Sequence, residues 1–178
     1  MALDIQAQPF TYCPHCASPL RPRVLVEGDH ARLACIACDF VHYRNPRLAA
    51  AAIIQREGKL ILVRRAIEPQ RGLWVFPGGF VDSGETVQAA AVRETFEETG
   101  LRIGLTGILD VYSSIERDVA LVVYAAESRG GMASPGSECD DLALYAPENL
   151  PWEELAFDAT RDALRDYLRR FFPRVRPR

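Results

Sequence analysis

The sequence has no run of 18 or more apolar residues, which excludes a helix that crosses a bilayer. Its first ten residues, MALDIQAQPF, hold an acid and lack the basic and apolar stretches of a secretory leader, so a cytoplasmic location is expected. Surplus positive charge is also missing. Lys and Arg number 21 against 24 Asp and Glu, for a net charge of −3. That balance argues against broad nucleic-acid binding, which needs a basic face. Internal repeats and low-complexity segments are absent. Cysteine is scarce, and four of the five fall in two C-x2-C pairs. In a reducing compartment such pairs read as metal ligands rather than disulfides. Cys139 is left as a free thiol without a role.

What remains is enough for one ordinary domain and a small appendage, 178 residues of which 48% are hydrophobic. Residues 1–10 read as a flexible arm. Residues 11–45 hold the two knuckles, Cys13/Cys16 and Cys35/Cys38, separated by 18 residues. Four thiolates close a tetrahedron around Zn²⁺ with no open position, which is a structural rather than a catalytic arrangement. His15 and His42 are expected at the surface. Strand-like pieces at 23–26 and 31–34 around Gly28-Asp29 predict a hairpin between the knuckles. So short a segment buries little, and the metal would supply its stability.

Asn45-Pro46 marks a hinge, and a larger domain is expected over 46–172. Strands are predicted at 49–55 and 59–65 around a turn at Arg56-Glu57-Gly58, then at 103–112, 119–126 and 142–145, with a loop over 127–136. Short helical turns are expected at 147–150 and 151–155. Residues 158–172 form an amphipathic helix, with Ala163, Leu164, Tyr167, Leu168 and Phe171 at helical spacing. The end, 173–178, is a basic tail. Strands around two helices predict an α/β fold with a mixed sheet between helical layers.

The chemistry is concentrated in FPGGFVDSGETVQAAAVRETFEETGL, residues 76–101. Glu94, Glu97 and Glu98 are spaced i, i+3, i+4 and share one helix face. Ala89, Val92 and Phe96 make a second apolar stripe, so a helix packed on two sides is expected. Three carboxylates within two turns repel one another. A hard divalent cation relieves that repulsion, and Mg²⁺ is typically held by one or two carboxylates plus substrate phosphates. A solvated acidic face paired with arginines is the competing reading. Pro77-Gly78-Gly79 lets backbone approach a ligand closely. Arg93, eight residues after Glu85, is placed to brace that loop.

The stretch resembles the Nudix box, G-x5-E-x7-R-E-U-x-E-E-x-G-U with U an aliphatic residue. Gly79, Glu85, Arg93, Glu94, Glu97, Glu98, Gly100 and Leu101 match, and Thr95 departs at the first aliphatic position. The resemblance implies an α/β/α Nudix sandwich preceded by a zinc-ribbon domain. It implies hydrolysis of a nucleoside diphosphate linked to another moiety, with Mg²⁺ or Mn²⁺. Glu94 and Glu98 would be the main metal ligands, Glu97 a supporting one, and the Gly79 carbonyl a further one. Glu85 and Arg93 would be braces. The general base would be a box glutamate or an acid on a later loop, where Glu116, Glu138 and Asp141 are the candidates.

Zinc-ribbon NADH pyrophosphatases of this family carry a Ser-Gln-Pro-Trp-Pro-Phe-Pro-like segment, and Ile108–Ser113 of this chain does not match it. The chain is more similar to zinc-ribbon Nudix enzymes acting on FAD and ADP-ribose, through Tyr43-Arg44-Asn45-Pro46, Gly72-Leu73-Trp74 and Leu150–Phe157. The alternatives are an NADH or NAD-capped RNA pyrophosphatase and a nucleotide-sensing module that does not cleave. Arg64 or Arg65, Gly78, Gly79 and Tyr112 are expected to meet substrate, and Tyr124, Trp152 and Phe157 are further aromatic candidates for a ring wall. A small dinucleotide is the expected partner, and a homodimer is the assembly the family implies.

Overall fold

The computed structural model describes residues 10–175. Most of the expected arm, residues 1–9, and the last three residues of the expected tail lie outside it. The chain divides into two compact units between Asn45 and Pro46.

The first unit is a three-stranded antiparallel sheet, β1 (Leu20–Arg23), β2 (Arg32–Cys35) and β3 (Val41–His42), in that order. The first strand starts three residues before the predicted one, and the third was not predicted. Leu20 pairs with Cys35, is buried with Cys13, and is packed by the partly buried Leu33 and Phe40, whereas Val24 and Val26 are exposed. The strand is therefore placed by the apolar residue beside the cysteine cluster, not by the valine-rich run after it.

The second unit is built on β4 (Arg47–Arg56), β5 (Lys59–Arg65), β6 (Trp74–Val75), β7 (Gly78–Phe80), α1 (Val87–Thr99), β8 (Arg102–Ser114), β9 (Val119–Gly130), β10 (Cys139–Tyr145) and α2 (Asp158–Phe171). Its sheet runs β10-β5-β4-β9-β8, with β6 on β5 and β7 on β4. Only β4 and β9 are parallel, so the sheet is mixed. Short 3-10 turns occupy Pro147–Asn149 and Trp152–Glu154.

The centre of β4 is apolar without alternation because both of its faces are covered. Ala50 packs with Ala90 and Ala91 of α1, and Ala51 and Ile53 pack with Ala163, Leu164, Tyr167 and Leu168 of α2. Full burial of Leu164 and Leu168 contributes about 1.5–3 kcal/mol each. Helices on opposite faces make the expected α/β/α sandwich.

Helix α1 differs from expectation in one respect. Its buried residues are Ala90, Ala91, Thr95 and Thr99, while Val92 is 38% and Phe96 53% exposed. The helix rests on a single sheet face, so its second apolar stripe is solvated. Thr95 is fully buried and its hydroxyl has no partner among the described residues. Phe171 of α2 is likewise 42% exposed, stacked on Tyr167. Strand β9 runs on to Gly130, which takes the first four residues of the predicted loop, and β10 begins at Cys139, three residues before the predicted strand. Val175, in the expected tail, packs against the α2-side core.

Candidate active site

Helix α1 starts where Thr86 accepts a hydrogen bond from the Ala89 N–H, 3.1 Å, as an N-cap. It stops at Gly100, which takes the left-handed conformation at φ 68°. Those two caps fix the rotation of the acid face over β7. The glycine pair is strand rather than loop, with Gly79 opposite Ala50 and Gly78 opposite Ala51. A Cβ on Gly79 would lie 2.5 Å from a Glu94 carboxylate oxygen, and one on Gly78 would lie 2.6 Å from the Ala50 carbonyl oxygen. The glycines thus let the carboxylates of α1 meet backbone directly. The Gly78 N–H donates to Glu98 Oε2 at 2.9 Å.

Arg93 ties the acid face to the preceding loop. It donates to Glu85 at 2.5 and 3.2 Å, to Glu94 at 2.7 Å, to Glu97 at 3.3 Å and to the Phe80 carbonyl at 3.2 Å. Glu85 is held below its ordinary range by that arginine and by the Asp82 N–H. Glu94 is pushed up by burial, against the pull of Arg93. Glu98 is pushed up to about 7, by burial first, then by Glu94 and Glu138, against the Gly78 N–H and Arg65. Among the described residues Glu98 forms no ion pair, which leaves a mostly buried carboxylate without a contacting cation.

Of the other expected residues, Glu138 is brought to this cluster, since its charge acts on both Glu94 and Glu98. Its carbonyl accepts from the Ala66 N–H at 2.8 Å, fixing it beside the end of β5. Arg65 also faces the cluster. Arg64 points elsewhere, to Asp140 at 2.7 Å, Asp141 at 3.7 Å and the Trp74 ring. Asp141 therefore lies with Arg64, not with the glutamates. Tyr112 donates its hydroxyl to Asp166 of α2 at 3.0 Å. Tyr124 is buried beneath α1, and Trp152 lies under Arg165. Glu116 is exposed on the β8–β9 turn. Phe157 stands beside Arg65 and Arg117. Neither Arg117 nor Asp140 was singled out in the sequence, because single charged residues near turns carry no pattern. Cys139, opposite Arg65 on β10, is buried, and its thiol is pushed up to about 12 by that burial and by Glu98.

In the first unit Cys13, Cys16, Cys35 and Cys38 place their sulfurs within 4.8 Å of one another. The His15 and Ala37 N–H groups donate to Cys13 and Cys35 sulfur at 3.4 and 3.3 Å. His15 packs on Phe40 and His42 on Phe10, both apart from the sulfurs. Four soft donors at this spacing form a closed metal-binding cluster.

The comparisons agree with this geometry. The NUDIX domain profile matches residues 45–171, and the Nudix N-terminal profile matches residues 11–44. An ADP-ribose pyrophosphatase from Methanocaldococcus jannaschii is 39% identical over 120 residues, covering 65% of this chain and 70% of that protein. An NAD-capped RNA hydrolase NudC from Chromobacterium violaceum is 30% identical over 142 residues, covering 79% of this chain. The chain spans 51% of the length of that relative. The crystal structure of a NUDIX hydrolase from Nitrosomonas europaea superposes with a TM-score of 0.85 at 30% identity, covering 93% of this chain and 94% of the other. With its acid helix, glycine strand and four-cysteine unit in place, the chain belongs to the Nudix hydrolase family.

Proposed function

We propose that this protein cleaves the diphosphate of an ADP-ribose-like compound, ADP-ribose or FAD, to two monophosphates, using Mg²⁺ or Mn²⁺ at the acid cluster and Zn²⁺ at the four cysteines. The observation that carries this reading is Glu98: a mostly buried carboxylate, beside Glu94 and Glu138, with no contacting cation from the protein. Glu85, Glu94 and Glu97 share Arg93, and Glu98 has no ion pair among the described residues, so the cluster keeps negative charge that a cation must offset.

The donors suit a hard divalent ion, being carboxylate oxygens backed by peptide groups. Glu94 and Glu98 would hold it, with Glu97 alongside and the Gly79 carbonyl as a further ligand. Once bound, it supplies neutralisation of phosphate charge and a water of lowered pKa. The chain's own residues do the positioning. Arg93 fixes Glu94 and anchors Glu85, the Gly78 N–H orients Glu98, and Glu138, whose charge acts on Glu94 and Glu98, is our candidate to take a proton from an attacking water.

The preference for ADP-ribose or FAD over NADH is supported by the similarity to the archaeal pyrophosphatase. The NudC relatives, named NAD-capped RNA hydrolases, match 142 and 147 residues of this chain and supply the second reading, an NADH or NAD-capped RNA pyrophosphatase. A panel of ADP-ribose, FAD, NADH and NAD-capped RNA, with Mg²⁺ or Mn²⁺ and products resolved, decides between them. Turnover of ADP-ribose or FAD at ten or more times the kcat/KM of NADH is expected, and the reverse order overturns the assignment. Glu98→Gln should lower kcat by about a hundredfold or more, as loss of a charge-stabilising group does. Activity within a few-fold of wild type at saturating Mg²⁺ would remove Glu98 from the metal site.

A further inference from the structure

Cations gather beside the acids. Arg65 donates Nε–H to the Pro69 carbonyl at 2.8 Å, and its guanidinium lies 5.3 Å from the centre of the Phe157 ring. Arg117, in the turn between β8 and β9, lies over the same ring at 4.4 Å. That turn is held by Arg47. The Arg47 backbone N–H donates to the Asp118 carbonyl at 2.8 Å, and Nη2 donates to the Arg117 carbonyl at 3.4 Å. The Arg47 guanidinium covers Phe80, the residue after Gly79, at 4.5 Å. Among the described residues none of Arg47, Arg65 and Arg117 forms an ion pair, whereas Arg64, Arg93, Arg161 and Arg169 each do. A guanidinium laid on an aromatic face is oriented, and its edge stays free for a planar, two-point grip on an anion.

We propose that Arg65 and Arg117, both set against the Phe157 ring, form a phosphate subsite that takes the substrate's second phosphate, the one not held at Glu94 and Glu98, with Arg47 as the positioning residue that fixes the Arg117 turn. This rests on reading the acid cluster as a diphosphate-cleaving site. The need for such a subsite is electrostatic. A diphosphate held at the acids brings a second negative phosphate close to carboxylates, and cations beside it offset that repulsion. Arg65 spans the two regions, since it acts electrostatically on Glu98 while sitting on Phe157. The subsite favours two linked phosphates over one, and its chemical class of ligand is a nucleoside diphosphate.

The test compares Arg117→Gln, Arg117→Lys and Arg47→Gln with wild type. ADP is the binding probe, measured by calorimetry with no divalent cation added, and ADP-ribose is the substrate. Arg117→Gln should weaken ADP about tenfold or more and raise KM for ADP-ribose by a similar factor, as loss of a charge-assisted pair does, with kcat held within about threefold and Tm unchanged. Arg117→Lys should recover part of both losses, and Arg47→Gln should show a smaller rise in KM. AMP binding should change less than ADP binding. Unchanged ADP affinity and KM in Arg117→Gln overturn the subsite, as does absence of ADP binding by wild type. A fall in Tm and kcat with KM unchanged makes Arg117 structural and overturns it as well. If wild type fails to cleave ADP-ribose but Arg117→Gln still weakens ADP, the subsite stands and the substrate assignment falls.

Discussion

A single methyl group separates the roles of Gly78 and Gly79. Added at Gly79 it meets the movable end of Glu94, while at Gly78 it meets the Ala51 side chain and Ala50 backbone. Gly79→Ala should therefore displace the carboxylate and lower kcat with little change in Tm. Gly78→Ala should cost about 1–3 kcal/mol by overpacking, read as a lower midpoint in urea. Equal midpoints for the two variants would contradict this division. Glu98 carries a second residue-level consequence. Unfolded, it titrates in the ordinary carboxylate range; folded and without a divalent cation, at about 7. The folded chain binds that proton more tightly, so the stability it gives is complete below the unfolded value and is lost as pH rises through about 7. Melting with no Mg²⁺ or Mn²⁺ added should show Tm falling from pH 5 to 8, with a shallower fall in Glu98→Gln. Parallel curves would show that Glu98 is not the group responsible. The three glutamates were legible as a shared face from spacing alone. Which of Arg64 and Arg65 faces them was not, because alternation needs the register with β10, and register is set by pairing across the sheet.

At the scale of elements, the long patterned segments were legible. Strand β5 matches its predicted span, and α2 shows the expected buried stripe apart from Phe171. Strands β3, β6 and β7 have two or three residues each, and β7 contains two glycines. Segments that short have no period to read, and they are strands because β2 has an unpaired edge and because β4 and β5, paired with each other only beside their turn, leave backbone open farther along for β7 and β6. The second stripe on α1 misled for a related reason: periodicity marks apolar faces but not whether a neighbour covers each one. The start of α1, by contrast, follows from local chemistry. Thr86→Ala should remove the N-cap bond and cost about 1 kcal/mol, measured by urea denaturation. Thr86→Ser should retain most of it, and equal loss in both variants would mean the cap contributes nothing.

For the whole molecule, stability has two separate sources. The unit from Pro46 buries a large two-faced core, whereas the unit ending at Asn45 buries little beyond Cys13, Leu20, Ala34 and Cys35. A metal supplies folding free energy to a domain that small. A strong zinc chelator, or Cys35→Ser, should abolish the ordered amide signals of the first unit. Protected amides in β4, β9 and α2 should persist, and hydrogen exchange followed residue by residue distinguishes the two. Simultaneous loss of protection in both units would show that they fold as one. The contact of Gly78 and Gly79 with their surroundings reaches furthest. Where one added carbon displaces either a carboxylate or the neighbouring strand, the apparatus that breaks the bond admits no gradual adjustment. Anyone redirecting this scaffold to a new compound would have to leave that strand alone and work in the turns facing it, around Arg117 and between Arg65 and Trp74, where side chains can be exchanged without moving the sheet.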